Sequence, residues 1–293
     1  MSNYIDIHEF STGINVQGSP DNWISTGFTG YMNSTLSEIP SAVQNAISNQ
    51  LFKVSEGDSH SKPAIIGREV KEQKQPWSVM AVATSGKDEY GRSAAFYRYF
   101  LTEGLGGLSD ILWWYLTEVS QPVFNPFDVQ KANQPHQYKI KQKVKENILS
   151  KLEFKALLNR ETSTLIIPYN LNCVPLIVNE LGNRRKQENK LTAWAYNVGG
   201  VRKPWDFQVI YPASHQAQII LEKSLDKTKH SKSDYGLAVF FEYMALGDVS
   251  TKLCQKYGLK VNWGKKDQWR FLKSSVKISR RLTTWESLKR AIR

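Results

Sequence analysis

The sequence predicts an α+β protein in which a mixed sheet packs against helices, followed by a basic, mostly helical C-terminal segment. Three observations support this. Of the 293 residues, 41% are hydrophobic and 12% aromatic, which suffices for a folded core. Strand-like and helix-like segments follow one another without the regular βαβ rhythm of a doubly wound sheet. The last segment, 252–293, holds 13 Lys and Arg against 2 Asp and Glu, a net charge of +11.

In the first part of the chain, the pattern of apolar residues predicts a strand, a helix and two further strands. Residues 4–10 alternate as in a half-buried strand, and the glycine-rich stretch 11–40 reads as turns. Residues 41–52 place apolar side chains at helical spacing. The runs 64–70 and 77–85 have the length and apolar character of buried strands.

A charged, glycine-bracketed stretch, SGKDEYGR, separates the last of these strands from an aromatic run. We interpret it as a strand exit with tight turns at Gly86 and Gly91. The aromatic segments 93–105 and 108–119 are expected to be helical or mixed, and Ser93 can cap the first of them.

The side chains of this stretch give it the character of a binding surface. Asp88 can accept hydrogen bonds from turn amides or pair with Arg92, and the ring of Tyr90 can lean on the core. A catalytic role would need a histidine or a second acid within reach, and the sequence offers no obvious one. We therefore predict that Lys87, Asp88, Glu89, Tyr90 and Arg92 bind another protein.

The chain beyond residue 120 begins with a proline-rich stretch that we interpret as a boundary. It suggests an α+β region over 1–125, a second α+β region over 126–251 packed on the first, and the basic segment 252–293. Residues 138–159 carry an apolar stripe opposite lysines, which predicts a helix.

The rest of the second region contains short apolar segments. Strand candidates lie at 191–198 and 205–213, and the compact segment 236–246 is expected to be helical. Two shorter apolar runs, 163–170 and 174–181, precede them. The basic segment is expected to form a helix, a strand-like run and a second helix.

Several function classes are disfavoured by the sequence. No run of eighteen or more uncharged apolar residues is present, and the first residues lack a secretory pattern, so we expect a cytoplasmic protein with no membrane contact. Cys173 and Cys254 lack partner spacing, which fits a reducing compartment. There is no phosphate-binding loop, GxSxG motif or histidine pair at metal-ligand spacing. We expect no cofactor and no metal.

One pattern keeps a metal-dependent nuclease open as an alternative. Asp58 is followed by Glu69 and Lys71, the order in which restriction-type nucleases place a metal-binding carboxylate and an ExK strand. Two carboxylates at strand ends can hold a divalent cation while the lysine orients a water. The ordinary alternative is a polar strand end.

The basic segment supports a second alternative, a nucleic-acid-binding subunit. Its aromatic residues are interleaved with cations, which suits stacking on bases and contact with phosphates. A solvated basic surface around buried tryptophans is the ordinary alternative. The candidate contacts to RNA or DNA are Lys265, Lys266, Arg270, Lys273, Lys277, Arg280, Arg281, Lys289 and Arg290.

The stretch VMAVATSGKDEYGRSAAFYRYFL resembles a GRDYxGRxGNFFxHxL-like signature in the N-terminal domain of bacterial GTPase-associated proteins. The resemblance covers roughly the first hundred residues. Lys87 stands where the signature has arginine, and Arg98 and Tyr99 also depart from it. The matching positions are Gly86, Asp88, Tyr90, Gly91, Arg92, Phe96 and Leu101.

This resemblance implies an adaptor rather than an enzyme. Such domains accompany GTPases or other NTPases in multi-component bacterial conflict systems, and the motif assigns them no catalytic activity. The leading hypothesis is therefore a non-enzymatic interaction subunit of a bacterial defence or signalling assembly. Its expected partners are other protein subunits, an NTPase among the candidates.

Overall fold

The structure is a computed structural model that describes most of the first 226 residues. The described ranges are 4–20, 22–54, 63–73, 75–119, 124–127, 134–140, 164–167, 169, 173–186, 188 and 190–226. The basic segment 252–293 and the helix expected at 236–246 lie outside them, as does the helix predicted over 138–159 apart from its first three residues.

One mixed sheet of nine strands organises the described part of the chain. Along the sheet the order is β2-β1-β5-β4-β3-β8-β9-β7, and β6 pairs with the beginning of β1. Most neighbours are antiparallel, whereas β9 runs parallel to both β7 and β8. The strands are β1 (Tyr4–Ser19), β2 (Asn22–Met32), β3 (Ala64–Glu72), β4 (Gln75–Lys87), β5 (Ser93–Glu103), β6 (His136–Lys139), β7 (Leu165–Ile166), β8 (Ala193–Val198) and β9 (Val209–Pro212).

In the described part of the chain, four α-helices cover the two faces of this sheet, which confirms the predicted α+β class. Helices α2 and α3 pack on one face and α1 and α4 on the other. None of the helices in the described ranges has the length and apolar character needed to cross a bilayer. The helices are α1 (Ser41–Ser48), α2 (Leu108–Glu118), α3 (Pro175–Arg184) and α4 (His215–Asp226), with a 3-10 turn at Pro204–Asp206.

Burial on both faces explains the sequence of the central strands. Every residue from Ser78 to Ala83 of β4 is buried, and β3 is buried from Ala64 to Val70. A strand covered by helices on both sides carries consecutive apolar residues rather than an alternating pattern. The strands predicted at 64–70 and 77–85 are thereby confirmed, as are the helix near 41 and the strand near 193.

The helix predicted after Ser93 is wrong, because residues 93–103 form strand β5. Every residue of β4 from Trp77 to Lys87 pairs with one on β5. Phe100 belongs to the core on one side of the sheet and Tyr99 to the core on the other. Large side chains on both faces remove the period of two, so the segment resembles an aromatic helix in sequence.

The turns predicted between residues 11 and 40 are partly wrong, since β1 and β2 form a long antiparallel hairpin. Its glycines lie inside the strands because β2 contains two β-bulges. Thr26 and Thr29 are the bulge residues, because neither has a partner on β1. Consecutive residues of β1 pair with Ser25 and Gly27 at the first bulge and with Phe28 and Gly30 at the second. Bulges bend a strand and interrupt the alternation of inward and outward side chains, so the sequence pattern does not reveal the strand.

Gly67 does not interrupt β3, because it makes room for a tryptophan. Trp194 of the neighbouring strand β8 is fully buried and its indole lies directly over Gly67. A Cβ at position 67 would overlap atoms of that ring. The absence of a side chain at Gly67 is therefore a packing requirement.

We predict that Gly67→Ala lowers the free energy of unfolding by about 1–3 kcal/mol, the usual cost of overpacking a core. Urea unfolding measures it. A double-mutant cycle with Trp194→Leu serves as the control, since removing the indole should make the glycine substitution nearly neutral in that background. Full additivity of the two changes would contradict the proposed contact.

Candidate functional site

The turn between β4 and β5 is organised by the carboxylate of Asp88. Its Oδ1 accepts the backbone amides of Tyr90 at 3.0 Å and Arg92 at 2.8 Å, and its Oδ2 accepts Nε of Arg92 at 2.8 Å. The backbone amide of Gly91 donates to the carbonyl of Asp88 at 2.9 Å, with φ of 71° at the glycine. Both partners predicted for Asp88 are confirmed, and the turn is fixed in one shape.

The ring of Tyr90 does not lean on the core, contrary to prediction. It is 74% exposed, because the turn extends beyond Lys87 and Ser93, the last pair of the hairpin ladder. The guanidinium of Arg92 lies over this ring, 4.8 Å from its centroid, and 71% of the arginine side chain is exposed. The turn thus presents an aromatic ring and a cation as one stacked pair.

The remaining predicted contact residues border this pair. Nζ of Lys87 lies 3.4 Å from Oγ of Ser93, and Glu89 is exposed. Local shielding by the turn would raise the pKa of Asp88, but hydrogen bonds from Arg92 and Tyr90 outweigh this and lower it. The carboxylate is therefore ionised at neutral pH and keeps the charge that orients Arg92.

An aromatic cluster supports the base of the turn. Gly86 is paired with Ala94 inside the ladder rather than forming a turn. Phe96 and Trp23 occupy the space above it, where an added Cβ would lie 2.5 Å from the first ring and 3.0 Å from the second. Phe124 stacks on Phe96 with 5.7 Å between ring centroids. The exposed turn is therefore supported at its base by a packed aromatic cluster.

Glu69, the candidate metal ligand of the nuclease hypothesis, is engaged in hydrogen bonds of the fold. It is 2% exposed, and its oxygens accept the amides of Gly106 at 2.7 Å and Thr192 at 2.8 Å and Nζ of Lys186 at 2.9 Å. Burial alone would raise the pKa of Glu69, but these hydrogen bonds lower it.

The other members of the nuclease set do not join Glu69 in the described structure. Lys71 is exposed two residues further along β3, and Asp58 lies outside the described residues. Within those residues, no group of three or more His, Cys, Asp and Glu is arranged to hold a metal ion. The lysine that contacts Glu69 is Lys186, which the ExK pattern does not include.

A second buried ionic group, which the sequence reasoning missed, joins three strands. Oε1 of Glu9 on β1 accepts Nε of Arg98 on β5 at 3.0 Å, and its Oε2 lies 3.1 Å from Nε2 of His136 on β6. Glu9 and Arg98 are 5% and 8% exposed. No local motif could have revealed a set whose members lie 89 and 127 residues apart.

The nucleic-acid hypothesis concerns residues from Lys265 to Arg290, all of which lie outside the described part of the chain. Comparisons with protein-family models, curated proteins and solved structures find no match to this chain. The resemblance to GTPase-associated proteins therefore stays a prediction.

We predict that the free energy of unfolding falls in acid because Glu9 becomes protonated. Burial raises the pKa of Glu9, but hydrogen bonds and charges from His136 and Arg98 outweigh it, so the folded pKa lies below the ordinary 4.5. The unfolded chain then binds the proton more readily, so the contribution of Glu9 is complete above about pH 4.5. It is lost as the pH falls through the lower folded value.

Urea unfolding measured at several pH values between about 3 and 7 checks this expectation, because this range is wide enough to change the protonation of the Glu9 carboxylate. Glu9→Gln should show a shallower loss of stability in acid than the wild type. Glu103→Gln, at an exposed position on the same sheet, is the matched control and should follow the wild type. Identical slopes for wild type and Glu9→Gln would contradict the assignment.

We predict that Asp88 controls the order of its turn. In Asp88→Ala the amides of Tyr90 and Arg92 lose their acceptor, so both should exchange with solvent faster. Asp88→Asn keeps one oxygen that can accept the amides and should retain much of their protection. Amide hydrogen exchange followed by NMR measures this, and unchanged protection in the alanine variant would show that the backbone alone orders the turn.

Proposed function

We propose that this chain is a non-enzymatic interaction subunit that docks on a partner protein through the turn Lys87–Arg92. The observation that carries the proposal is the exposed Tyr90–Arg92 pair on a turn ordered by Asp88. Following the family resemblance, the partner belongs to a cytoplasmic bacterial defence or signalling assembly and is another subunit, an NTPase being the leading candidate.

The chemistry of the pair favours protein recognition. Tyrosine and arginine are enriched among the residues that dominate binding energy at protein interfaces. An exposed, unsupported tyrosine would lose conformational entropy on binding, whereas a ring already held under a guanidinium loses less. Since Asp88 occupies only Nε of Arg92, the terminal nitrogens of the guanidinium remain suited to a bidentate contact with a carboxylate.

Of the alternatives, the nuclease has less support. Its glutamate already accepts three hydrogen bonds from donors that the fold itself supplies, so a metal would compete with them. Binding of nucleic acid by the basic segment stays compatible with an adaptor role, since its support is the charge of +11 in the sequence.

A photo-crosslinking experiment tests the proposal. A photoreactive phenylalanine analogue replaces Tyr90 in the full chain expressed in its native host, and Trp205, 43% exposed on a different loop, carries the same analogue as a matched control. We expect one defined protein adduct from position 90 and none from position 205. Equal labelling from both positions, or none from position 90, would count against the docking surface.

Affinity for the crosslinked partner gives the quantitative test. With both proteins purified, Tyr90→Ala and Arg92→Ala should each weaken binding by about tenfold or more, the size typical of central interface residues. Trp205→Ala should bind as the wild type. Asp88→Ala should weaken binding as well, through loss of order in the turn.

A further inference from the structure

Arg68 is a deeply buried arginine whose Nε has no hydrogen-bond partner among the described residues. It lies on β3 between Ile66 and Val70, on the sheet face covered by α1 and α4, and is 8% exposed. Its Nε is buried and unpaired, and no ion pair with a described residue reaches its guanidinium. Nε carries one of the five N–H donors of the guanidinium, and this donor lies inside the protein without an acceptor.

The surroundings of Arg68 orient the side chain without satisfying it. Its guanidinium lies over the ring of Phe207, 4.5 Å from the centroid, and that ring is itself 4% exposed. Asp206 attracts the charge through space but forms no hydrogen bond with it. The stack fixes the plane of the guanidinium and leaves its edge, where the donors lie, for another group.

The second buried arginine shows what a structural role looks like in this protein. Arg98 is equally buried, and the carboxylate of Glu9 accepts two of its nitrogens. A buried charge is strongly unfavourable when unpaired, and apolar residues of similar volume replace such charges without loss. An arginine serving only to fill the core at position 68 would therefore be a poor choice.

The charge of Arg68 persists despite this environment. Burial lowers its pKa to about 10, partly offset by Asp206, so the group is a cation at neutral pH. A cation that persists at this buried position favours a negatively charged ligand.

We propose that Arg68, held flat on Phe207, is the centre of a binding site for a small oxyanion, a carboxylate or a phosphate group. The ligand oxygens accept the guanidinium donors in a bidentate arrangement. Binding of the anion removes the unfavourable burial of an unpaired charge and thereby stabilises the folded chain. The site lies on β3 and the loop before β9, apart from the turn Lys87–Arg92, so it stands independently of the proposed docking function.

Thermal unfolding of the full chain tests the site, using inorganic phosphate in one series and succinate in another, each at constant ionic strength set with sodium chloride. A ligand that binds only the folded state raises the melting temperature along a saturation curve. We expect such a curve with at least one anion. A curve with phosphate alone would assign the site to phosphate groups, and one with succinate alone to carboxylates.

Variants separate a ligand site from a structural arginine. Arg68→Met should abolish the saturable rise and should melt, without anion, at the same temperature as the wild type or higher. Arg68→Lys keeps the charge but not the planar fork, so it should weaken anion binding about tenfold. Arg92→Met, at an exposed arginine of the turn between β4 and β5, is the matched control and should respond as the wild type.

Three results would overturn the proposal. They are the absence of a saturable rise with both anions, an equal rise in Arg68→Met and the wild type, and a marked loss of stability in Arg68→Met without anion. If Arg68→Met does not fold, the last result applies, since only a structural arginine would be needed for folding.

Discussion

The buried carboxylate of Glu69 is the interaction on which the rest of the sheet depends. From the middle of β3 it accepts hydrogen bonds from Gly106 in the loop before α2, from Lys186 just after α3 and from Thr192 just before β8. Without an acceptor at this point, the amide of Thr192, which is buried, would be left unpaired inside the protein. Because a buried amide without an acceptor is costly, the carboxylate fixes where these segments must meet.

The same carboxylate joins parts of the chain that lie on both sides of the proline-rich stretch. Gly106 precedes that stretch, whereas Lys186 and Thr192 follow it, and β3 pairs directly with β8. Glu9 acts similarly at the other side of the sheet, where it links β1 to β5 and β6. Each glutamate accepts hydrogen bonds from residues that are distant in sequence. These bonds can form only when the strands pair in one particular register.

The contrast between what the sequence predicted and what it missed follows from the range of the interactions. Contacts within five residues, such as the hydrogen bonds of Asp88 with Tyr90 and Arg92, were readable because turn chemistry is local. Strand β5 could not be recognised from the sequence, because its residue pattern depends on the helices that cover both faces of the sheet. Glu69 was singled out for a short motif with Lys71, but its actual lysine partner is 117 residues away.

The arrangement of the β4–β5 hairpin connects the buried charges to the exposed turn. Arg98 holds β5 against β1 through its ion pair with Glu9. The continuous pairing of β4 with β5 from Trp77 to Lys87 then holds the hairpin in place as far as its end. Asp88 then determines the shape of the last few residues. In the proposed docking role, a surface built this way would lose little freedom on binding, so a small contact area centred on Tyr90 would contribute more to affinity than its size suggests.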